Sequence, residues 1–501
     1  MASAKFSKII ASAQALHDDL MNISEIDKIK LINNVINIIR NNINIKIYGG
    51  YAQNLLILKR IIIKHFVNLF NENKLPDFTK MWKITDQQSL IHKLTQITSN
   101  FEHKFNKQFR DYVMSSVDLS DCFYKFNIKQ NGLKTIDFHD LDIYCETPLI
   151  LAFKIWKMCL DSGFKNVRVV EAIHYGTYSV KINEFNLCDI TYIPGFYMKS
   201  LPYETIDQLY VVGDKWIMID YYKMFSDTVN SAFRWEEFYE NRFKKFIKYC
   251  NYPLVDKKIN IKEYVDNNLF DEFIKTTETC ILTGFSAFNF FEESVKSNNT
   301  NIEKINVPYH EIISTNYYVD KAILEKYLKI FYLDDEITDK IKSVEHQRFC
   351  YFFGNFTEYY CGEKKICVLY DNNNIGIPFK QIEKHKITSF TYTLYHFMSS
   401  LMYDRLHCGG KDKDLYYTII SQMLQMQKMF YEEQKVDEFD DSVFSLFVLN
   451  VLGKPISSGE YKMTFKGYNF FKLDSKIYNE NTEEKIKAWS YVNLSGNAIK
   501  C

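Results

Sequence analysis

IKIYGGYAQNLL, residues 45–56, decides the fold: a short apolar run meets Gly49-Gly50, and helix-forming residues follow. A strand that turns on glycine into a helix lets backbone approach a ligand closely, with the helix N-terminus facing it. Such a turn suits a triphosphate. Two further strand-like runs carry acids: FHDLDIY at 138–144 holds Asp140 and Asp142, and NLCDITYI at 186–193 holds Asp189. Acids two residues apart on a strand point to one face, because side chains alternate with period two. Asp140 and Asp142 can therefore share a pair of divalent cations, and Asp189 from a neighbouring strand completes the set. Carboxylate ligands without His or Cys predict hard cations, Mg²⁺ or Mn²⁺, and argue against zinc. Two such ions about 3.5–4 Å apart would activate an attacking 3′-hydroxyl and hold a triphosphate with its leaving pyrophosphate. His139, beside Asp140, reads as a neutral hydrogen-bonded residue in preference to a base.

The chain has 501 residues, enough for several cores. Lys+Arg and Asp+Glu are both 62, so no global field attracts a polyanion, and a nucleic-acid partner would need a local basic groove. The abundance of Phe (40) and Tyr (36), with much Ile, Asn and Lys, is explained by AT-rich codons before any stacking role is invoked. Eleven cysteines without CxxC or Cys/His spacing predict reduced thiols in a cytoplasmic compartment. No apolar run of about 18 residues occurs, so no membrane partner is expected. The N-terminal MASAKFSKIIASAQALHDDL reads as an amphipathic helix, not a signal peptide.

Patterning predicts an α+β chain. Residues 1–44 form a helical segment, with Ile26, Ile29, Leu31, Val35, Ile36 and Ile39 on one face. Residues 45–204 form a mixed-sheet domain with a helical insertion at about 65–118; its strands lie around 136–145, 166–170, 176–182 and 186–193, with a helix at about 148–161. Residues 205–275 are a helical connection. Residues 276–400 form a second domain, and 401–501 a C-terminal region with helices at 413–435, 442–452 and 482–492. The second domain reads as a degenerate copy of the first. YGGYAQNL (48–55) aligns with TGFSAFNF (283–290), and HYGTYSVKINEFNLCDI (174–190) with FFGNFTEYYCGEKKICV (352–368). Gly176 to Asp189 and Gly354 to Cys367 are both 13 residues, which places Cys367 at the position of Asp189 and Phe285 at that of Gly50. HEIIST at 310–315 offers only Glu311 for the paired acids.

The pattern of hG[G/S], an acid pair with one residue between, and a third acid on a later strand resembles the polymerase-β-like nucleotidyltransferase superfamily. The chain is similar in particular to the poly(A) polymerase catalytic subunits of large cytoplasmic DNA viruses, of the poxvirus and giant amoeba virus type. The likeness covers most of 45–400. It departs in the 91-residue step from Gly49 to Asp140, which requires a helical insertion. The resemblance implies a nucleotidyltransferase domain followed by an inactive one. It also implies template-independent addition of adenylate from ATP to RNA 3′ ends, with Asp140, Asp142 and Asp189 as catalytic and metal-binding acids and Gly49 and Gly50 at the phosphates.

Asn54, Lys181 and Arg234 join the nucleotide-binding candidates. Arg234, Arg242, Lys244 and Lys245, in the helical stretch 230–249, could hold triphosphate or RNA, against the alternative of a solvated charged face. The expected partners are ATP, an RNA 3′ end and a second copy of the chain, a homodimer built on the second domain or on residues after Leu401. The expected location is the host cytoplasm, a viral factory or the virion. Two readings stay open beside this one: another RNA nucleotidyltransferase or oligonucleotide synthetase, and a non-catalytic RNA-binding scaffold that keeps the fold.

Overall fold

In the computed structural model, described for residues 12, 23–101, 106–122, 126–129, 132–135, 141–172, 174, 176–183, 185–255, 257–266, 270–295, 302–331, 341–349, 352–372, 376–382, 385–453, 455, 457, 460 and 472–474, the chain divides into two compact units. The first comprises residues 1–217, 240–250 and 462–499, and the second takes 218–239, 251–461 and 500–501. His139, Asp140, the N-terminal stretch before Ile23 (Ser12 apart) and the helix expected at 482–492 lie outside the described residues.

The first unit opens with the helix Glu25–Ile39, whose N-terminus is capped by Ser24: its side chain accepts from the Asp27 N–H. Leu31, Ile32, Val35, Ile36 and Ile39 are buried, whereas Ile26, expected on the same face, is 79% exposed in the first turn. Strand β1 (Ile45–Tyr48) then turns at Gly49 directly into the helix Gly49–Asn71. The insertion contains the helices Gln87–Ser99 and Lys107–Ser116. Next come a two-stranded ribbon, β2 (Phe126–Lys129) and β3 (Gly132–Thr135), and then β4 (Leu141–Cys145), β5 (Val167–Glu171), β6 (Thr177–Ile182), β7 (Phe185–Tyr192), β8 (Tyr203–Ile206) and β9 (Leu209–Val212). The main sheet runs Lys472–Asp474, β5, β6, β7, β4, β1, β9, β8. In it β4 pairs with β1 antiparallel and with β7 parallel, and β9 lies parallel to β1.

Alternation gives this sheet two chemically different faces. Ile45, Ile47, Leu141, Ile143, Val180, Ile182, Cys188 and Ile190 are buried on one face, which packs against the helices Gly49–Asn71 and Pro148–Asp161. The second of these starts with Pro148 at its first turn, where a missing N–H costs nothing. Its Trp156 is fully buried and donates Nε1–H to the Val167 carbonyl at 3.0 Å. Trp156→Ala should cost about 3–5 kcal/mol of stability, read as a lower denaturant midpoint at unchanged m-value. The other face carries Lys46, Tyr48, Asp142, Tyr144, Thr177, Ser179, Asp189 and Thr191.

The second unit contains β10 (Cys280–Thr283), β11 (His310–Ser314), β12 (Ile341–His346), β13 (Phe356–Cys361), β14 (Lys364–Asp371), β15 (Ile377–Ile382) and β16 (His385–Thr388). Its order, β12-β13-β14-β11-β10-β16-β15, reproduces β5-β6-β7-β4-β1-β9-β8, and every pairing keeps its parallel or antiparallel sense. The internal repeat is thus a repeat of topology. One register differs from the sequence alignment. Asp142 pairs with Asp189, and Glu311, the equivalent of Asp142, pairs with Val368. Val368 therefore stands where Asp189 does, and Cys367 takes the place of Cys188; both cysteines are fully buried in their cores.

Three sequence boundaries fall inside elements: 204 within β8, 275 within the helix Asp271–Thr276 and 400 within the helix Phe390–His407. The hairpin β8–β9, beyond the expected catalytic segment, closes the first sheet beside β1. The helix expected at 413–435 is observed as Lys413–Gln434, but 442–452 is not helical. There Phe444, Ser445, Leu446 and Val448 are buried in chain without regular structure, and Val451–Leu452 pairs with β15.

Glu358 on β13 carries a pH signature. Burial alone would raise its carboxyl, but His346 Nε2 at 2.9 Å, the Lys365 ammonium and the Tyr360 hydroxyl at 2.8 Å together hold it down at about 2. A depressed carboxyl adds stability above its unfolded value of 4.5 and loses it as pH falls towards 2. Between those limits Glu358 should contribute about 3 kcal/mol to the acid limb of unfolding. Glu358→Gln should flatten that limb in an acid titration followed by circular dichroism.

Candidate active site

Three strands bring the site together at the end of the first sheet where β1 meets its helix. Tyr48 lies opposite Asp142, and Asp142 lies beside Asp189 on parallel strands about 4.8 Å apart. Equal register on adjacent strands puts both carboxylates side by side on the polar face. Gly49 has φ +67, in the left-handed region, and a Cβ there would lie 1.9 Å from Oδ2 of Asp142. The turn is glycine for both reasons: the backbone conformation and the acid lying over it. Gly50 is buried in the first helical turn, and Tyr48, the N-cap residue, makes no side-chain cap bond to the helix.

Behind the acids the face is lined by a hydrogen-bonded layer. The Tyr48 ring stacks on Tyr144 with centroids 3.8 Å apart and planes within 5°. Its hydroxyl meets Thr191 Oγ1 at 2.8 Å, and Thr191 in turn meets Thr177 Oγ1 at 3.0 Å. Burial, reinforced by the Asp142 carboxylate, pushes the Tyr48 phenol well above its ordinary value, so it stays neutral. Lys46, one layer further in, donates Nζ to the Met198 carbonyl, and burial lowers its pKa against the pull of Glu146. Asp189 accepts two bonds on one oxygen, Oδ1: Ser179 Oγ at 2.6 Å and Asn186 Nδ2 at 3.1 Å.

The expected residues separate as follows. Gly49, Gly50, Asp142 and Asp189 are brought together. Asp140 lies outside the described residues; among those described, no three His, Cys, Asp or Glu side chains form a metal-holding group. The paired carboxylates fit a hard divalent cation as a donor set of oxygens on one face. Asn54 is fully buried on the helix Gly49–Asn71. Its equivalent in the second unit, Asn289, donates to the Ile305 carbonyl and accepts from the Ile305 N–H, both at 2.8 Å. Lys181 pairs with Asn186 across a shifted register of β6 and β7. Arg234 belongs to the second unit, where its guanidinium lies 5.2 Å from the Phe238 ring centroid and 5.9 Å from that of Phe233. The stretch expected to be helical at 230–249 is so, with a π-helical segment at Tyr239–Phe243 between Trp235–Phe238 and Lys244–Cys250. Lys244 beyond it bonds Glu240 at 2.7 Å. Sequence reading missed Ser179 and Asn186, although Ser179 shares the strand parity of Thr177.

The corresponding place in the second unit is sealed. Gly284 repeats the turn, with φ +60 and a would-be Cβ 1.6 Å from Oε2 of Glu311. Glu311, 2% exposed, accepts from the Phe285 N–H at 3.3 Å and Tyr370 Oη at 3.2 Å, and its Oε1 lies 2.8 Å from Nε2 of buried His396. Tyr309 occupies the sequence position equivalent to Asp140, two residues before Glu311. Burial, with the Glu311 carboxylate adding to it, holds the Tyr370 phenol well above its ordinary value.

A mixed sheet with acids on adjacent central strands and a glycine turn into a helix, followed by a topological copy that keeps only one buried acid of the pair, defines a nucleotidyltransferase of duplicated architecture. Residues 110–231, which include Asp142 and Asp189, match the family model "Poly(A) polymerase catalytic subunit". Residues 241–501 match "APMV, Putative poly(A) polymerase, catalytic subunit, C-terminal". The chain is 25% identical over 486 residues to the "Putative poly(A) polymerase catalytic subunit" of Acanthamoeba polyphaga mimivirus, covering 85% of this chain and 81% of that one. It shares its fold with the crystal structure of the Megavirus polyadenylate synthase, at TM-score 0.71 and 19% identity, over 98% of this chain and 89% of that one. The chain belongs to the viral poly(A) polymerase catalytic subunit family and is a polynucleotide adenylyltransferase. No helix among the described residues is long and apolar enough to cross a membrane.

Proposed function

We propose that the first unit carries out adenylate transfer from ATP to an RNA 3′-hydroxyl, with Asp142 and Asp189, joined by Asp140, holding two Mg²⁺ or Mn²⁺ ions. The observation that carries this reading is the equal register of Asp142 and Asp189 beside Gly49. When bound, the ions neutralise the triphosphate and acidify the attacking hydroxyl. Asp189, on the outer of the two acid strands, accepts the hydroxyl proton or passes it to solvent. The Gly49-Gly50 turn offers backbone N–H groups and the positive end of the helix Gly49–Asn71 to the phosphates. Lys181 supplies a cation for the polyanionic substrates. Tyr48, Tyr144 and Thr191 form the floor that keeps the acids on one plane.

Primer extension with each nucleotide supplied singly, with and without RNA, tests the reading. Extension of an RNA primer with ATP and either metal is the expected result. Product made without a primer would favour an oligonucleotide synthetase, and failure to extend under either metal would favour the scaffold.

The same reading places the enzyme in the cytoplasm of an infected host, supported by the viral source of its relatives. It also takes the working form to be a homodimer through the second unit or the residues after Leu401. That assembly is supported by the net charge of zero, which gives a single chain little long-range hold on RNA. Light scattering at micromolar concentration should show a dimer. A monomer that becomes processive only with a second polypeptide would overturn that part.

A further inference from the structure

We propose that Ser179 and Asn186 are positioning residues for the transfer reaction. They fasten Oδ1 of Asp189 so that Oδ2 is the oxygen turned to a divalent cation and the attacking hydroxyl. The inference rests on the metal-binding reading of Asp189 given above.

Ser179 lies directly across from Asp189 in the β6–β7 ladder, and its hydroxyl donates to Oδ1 at 2.6 Å, the short distance of a bond to an ionised acceptor. Asn186 is three residues before Asp189 on the same strand. In a regular strand an odd separation would put it on the opposite face. The register shift between Val180 and Lys181 prevents this: Val180 pairs with Cys188 and Lys181 with Asn186, so Leu187 is the extra residue. A bulge of this kind re-aims one side chain, and here it turns Asn186 onto the face of Asp189, 3.1 Å from the same oxygen. The amide orientation follows from the acceptor it meets, since its oxygen would be repelled by a carboxylate.

The second unit supplies an internal comparison. Its β13–β14 ladder keeps the bulge at the equivalent place, between Tyr359 and Tyr360. The equivalents of Ser179, Asn186 and Asp189 are Glu358, Lys365 and Val368. With the acid gone, neither donor type is kept. The same bulge now aims Lys365 at Glu358, and the two form an ion pair. The frame is therefore independent of chemistry, whereas the two donors occur where there is a carboxylate to hold. A carboxylate tied at one oxygen loses the freedom to rotate its charge away from the site. Partners of metal ligands typically contribute about 10–100-fold to metal affinity or rate.

The test uses the full chain with Ser179→Ala, Asn186→Ala, the double variant and Ser179→Thr, and Asp189→Asn as reference. Mn²⁺ affinity is read by electron paramagnetic resonance without nucleotide or RNA, kcat and KM for ATP by primer extension, and folding by thermal melt. The double variant should melt cooperatively, bind Mn²⁺ about 10–100-fold more weakly and lose kcat with little change in KM for ATP. Ser179→Thr should restore much of both. Wild-type Mn²⁺ affinity and kcat in a folded double variant, with Asp189→Asn impaired, would overturn the positioning role alone. If Asp189→Asn itself binds Mn²⁺ and turns over normally, the metal-binding reading falls and the positioning role with it. Should the double variant not fold, the Asn186→Ala and Ser179→Thr pair carries the same comparison.

Discussion

Asp142→Asn and Asp189→Asn should each lower adenylate addition at least about a thousandfold while leaving the melting temperature within a few degrees. The amide keeps the shape and most hydrogen bonds of the acid but removes the charge that a divalent cation needs. Neither residue is a core apolar group, and the buried face beneath them is untouched. The matched control lies in the second unit. Glu311→Gln alters the topological equivalent of Asp142, and it should lower the melting temperature while leaving primer extension intact at saturating metal. Its carboxylate is engaged by Phe285, Tyr370 and His396 and has no substrate to meet. Equal loss of activity in Glu311→Gln and Asp142→Asn would mean that the acids act through folding, and the site assignment would be wrong.

Gly49→Ala is expected to cost at least about a hundredfold in rate and roughly 1–3 kcal/mol in stability. Two effects add. An alanine at φ +67 pays the left-handed penalty of about 1 kcal/mol, and its methyl group would lie 1.9 Å from Oδ2 of Asp142. The methyl cannot move without unwinding the start of the helix, so the carboxylate must swing away from Asp189. Displacing a reacting group by about 1 Å can remove two orders of magnitude from a rate. Gly284→Ala meets the same obstacle, 1.6 Å from Glu311, and should register only as a lower melting temperature. Wild-type kcat in a folded Gly49→Ala variant would show that the turn does not constrain the acid.

The parts of this architecture that could be read from sequence are those written in a single period. The strand before Gly49, the shared face of Asp142 and Asp189 and the apolar faces of Ile143 and Ile190 follow from side-chain alternation alone. The duplicated second unit was visible through Gly284, Ala287 and Asn289. The alignment slipped by one residue at β14 because Gly176 and Gly354 are glycines for different reasons. Gly176 takes φ +73 in a turn, whereas a Cβ on Gly354 would lie 2.0 Å from the Asp371 carbonyl. Matching them put Cys367 on the wrong face of its strand, since one residue of slip inverts every side chain. The addition of the hairpin β8–β9 to β1 and the pairing of Val451–Leu452 with β15 were not legible, because each is decided by a strand distant in sequence. Nor was the bulge at Leu187, which has no glycine or proline to announce it.

The sealed acid of the second unit also bears on how such a protein can evolve. Restoring one lost group there, by Val368→Asp for instance, would place a carboxylate beside Glu311 with no solvent or cation to receive it. Buried His396 and half-buried Tyr370 and Tyr309 would have to retreat at the same time, and each is packed against neighbouring aromatic rings. No single substitution along that path would be rewarded, and the first would destabilise the unit. The second unit is thus separated from a solvent-open acid pair by several simultaneous changes in its interior, whatever residues its outer surface carries.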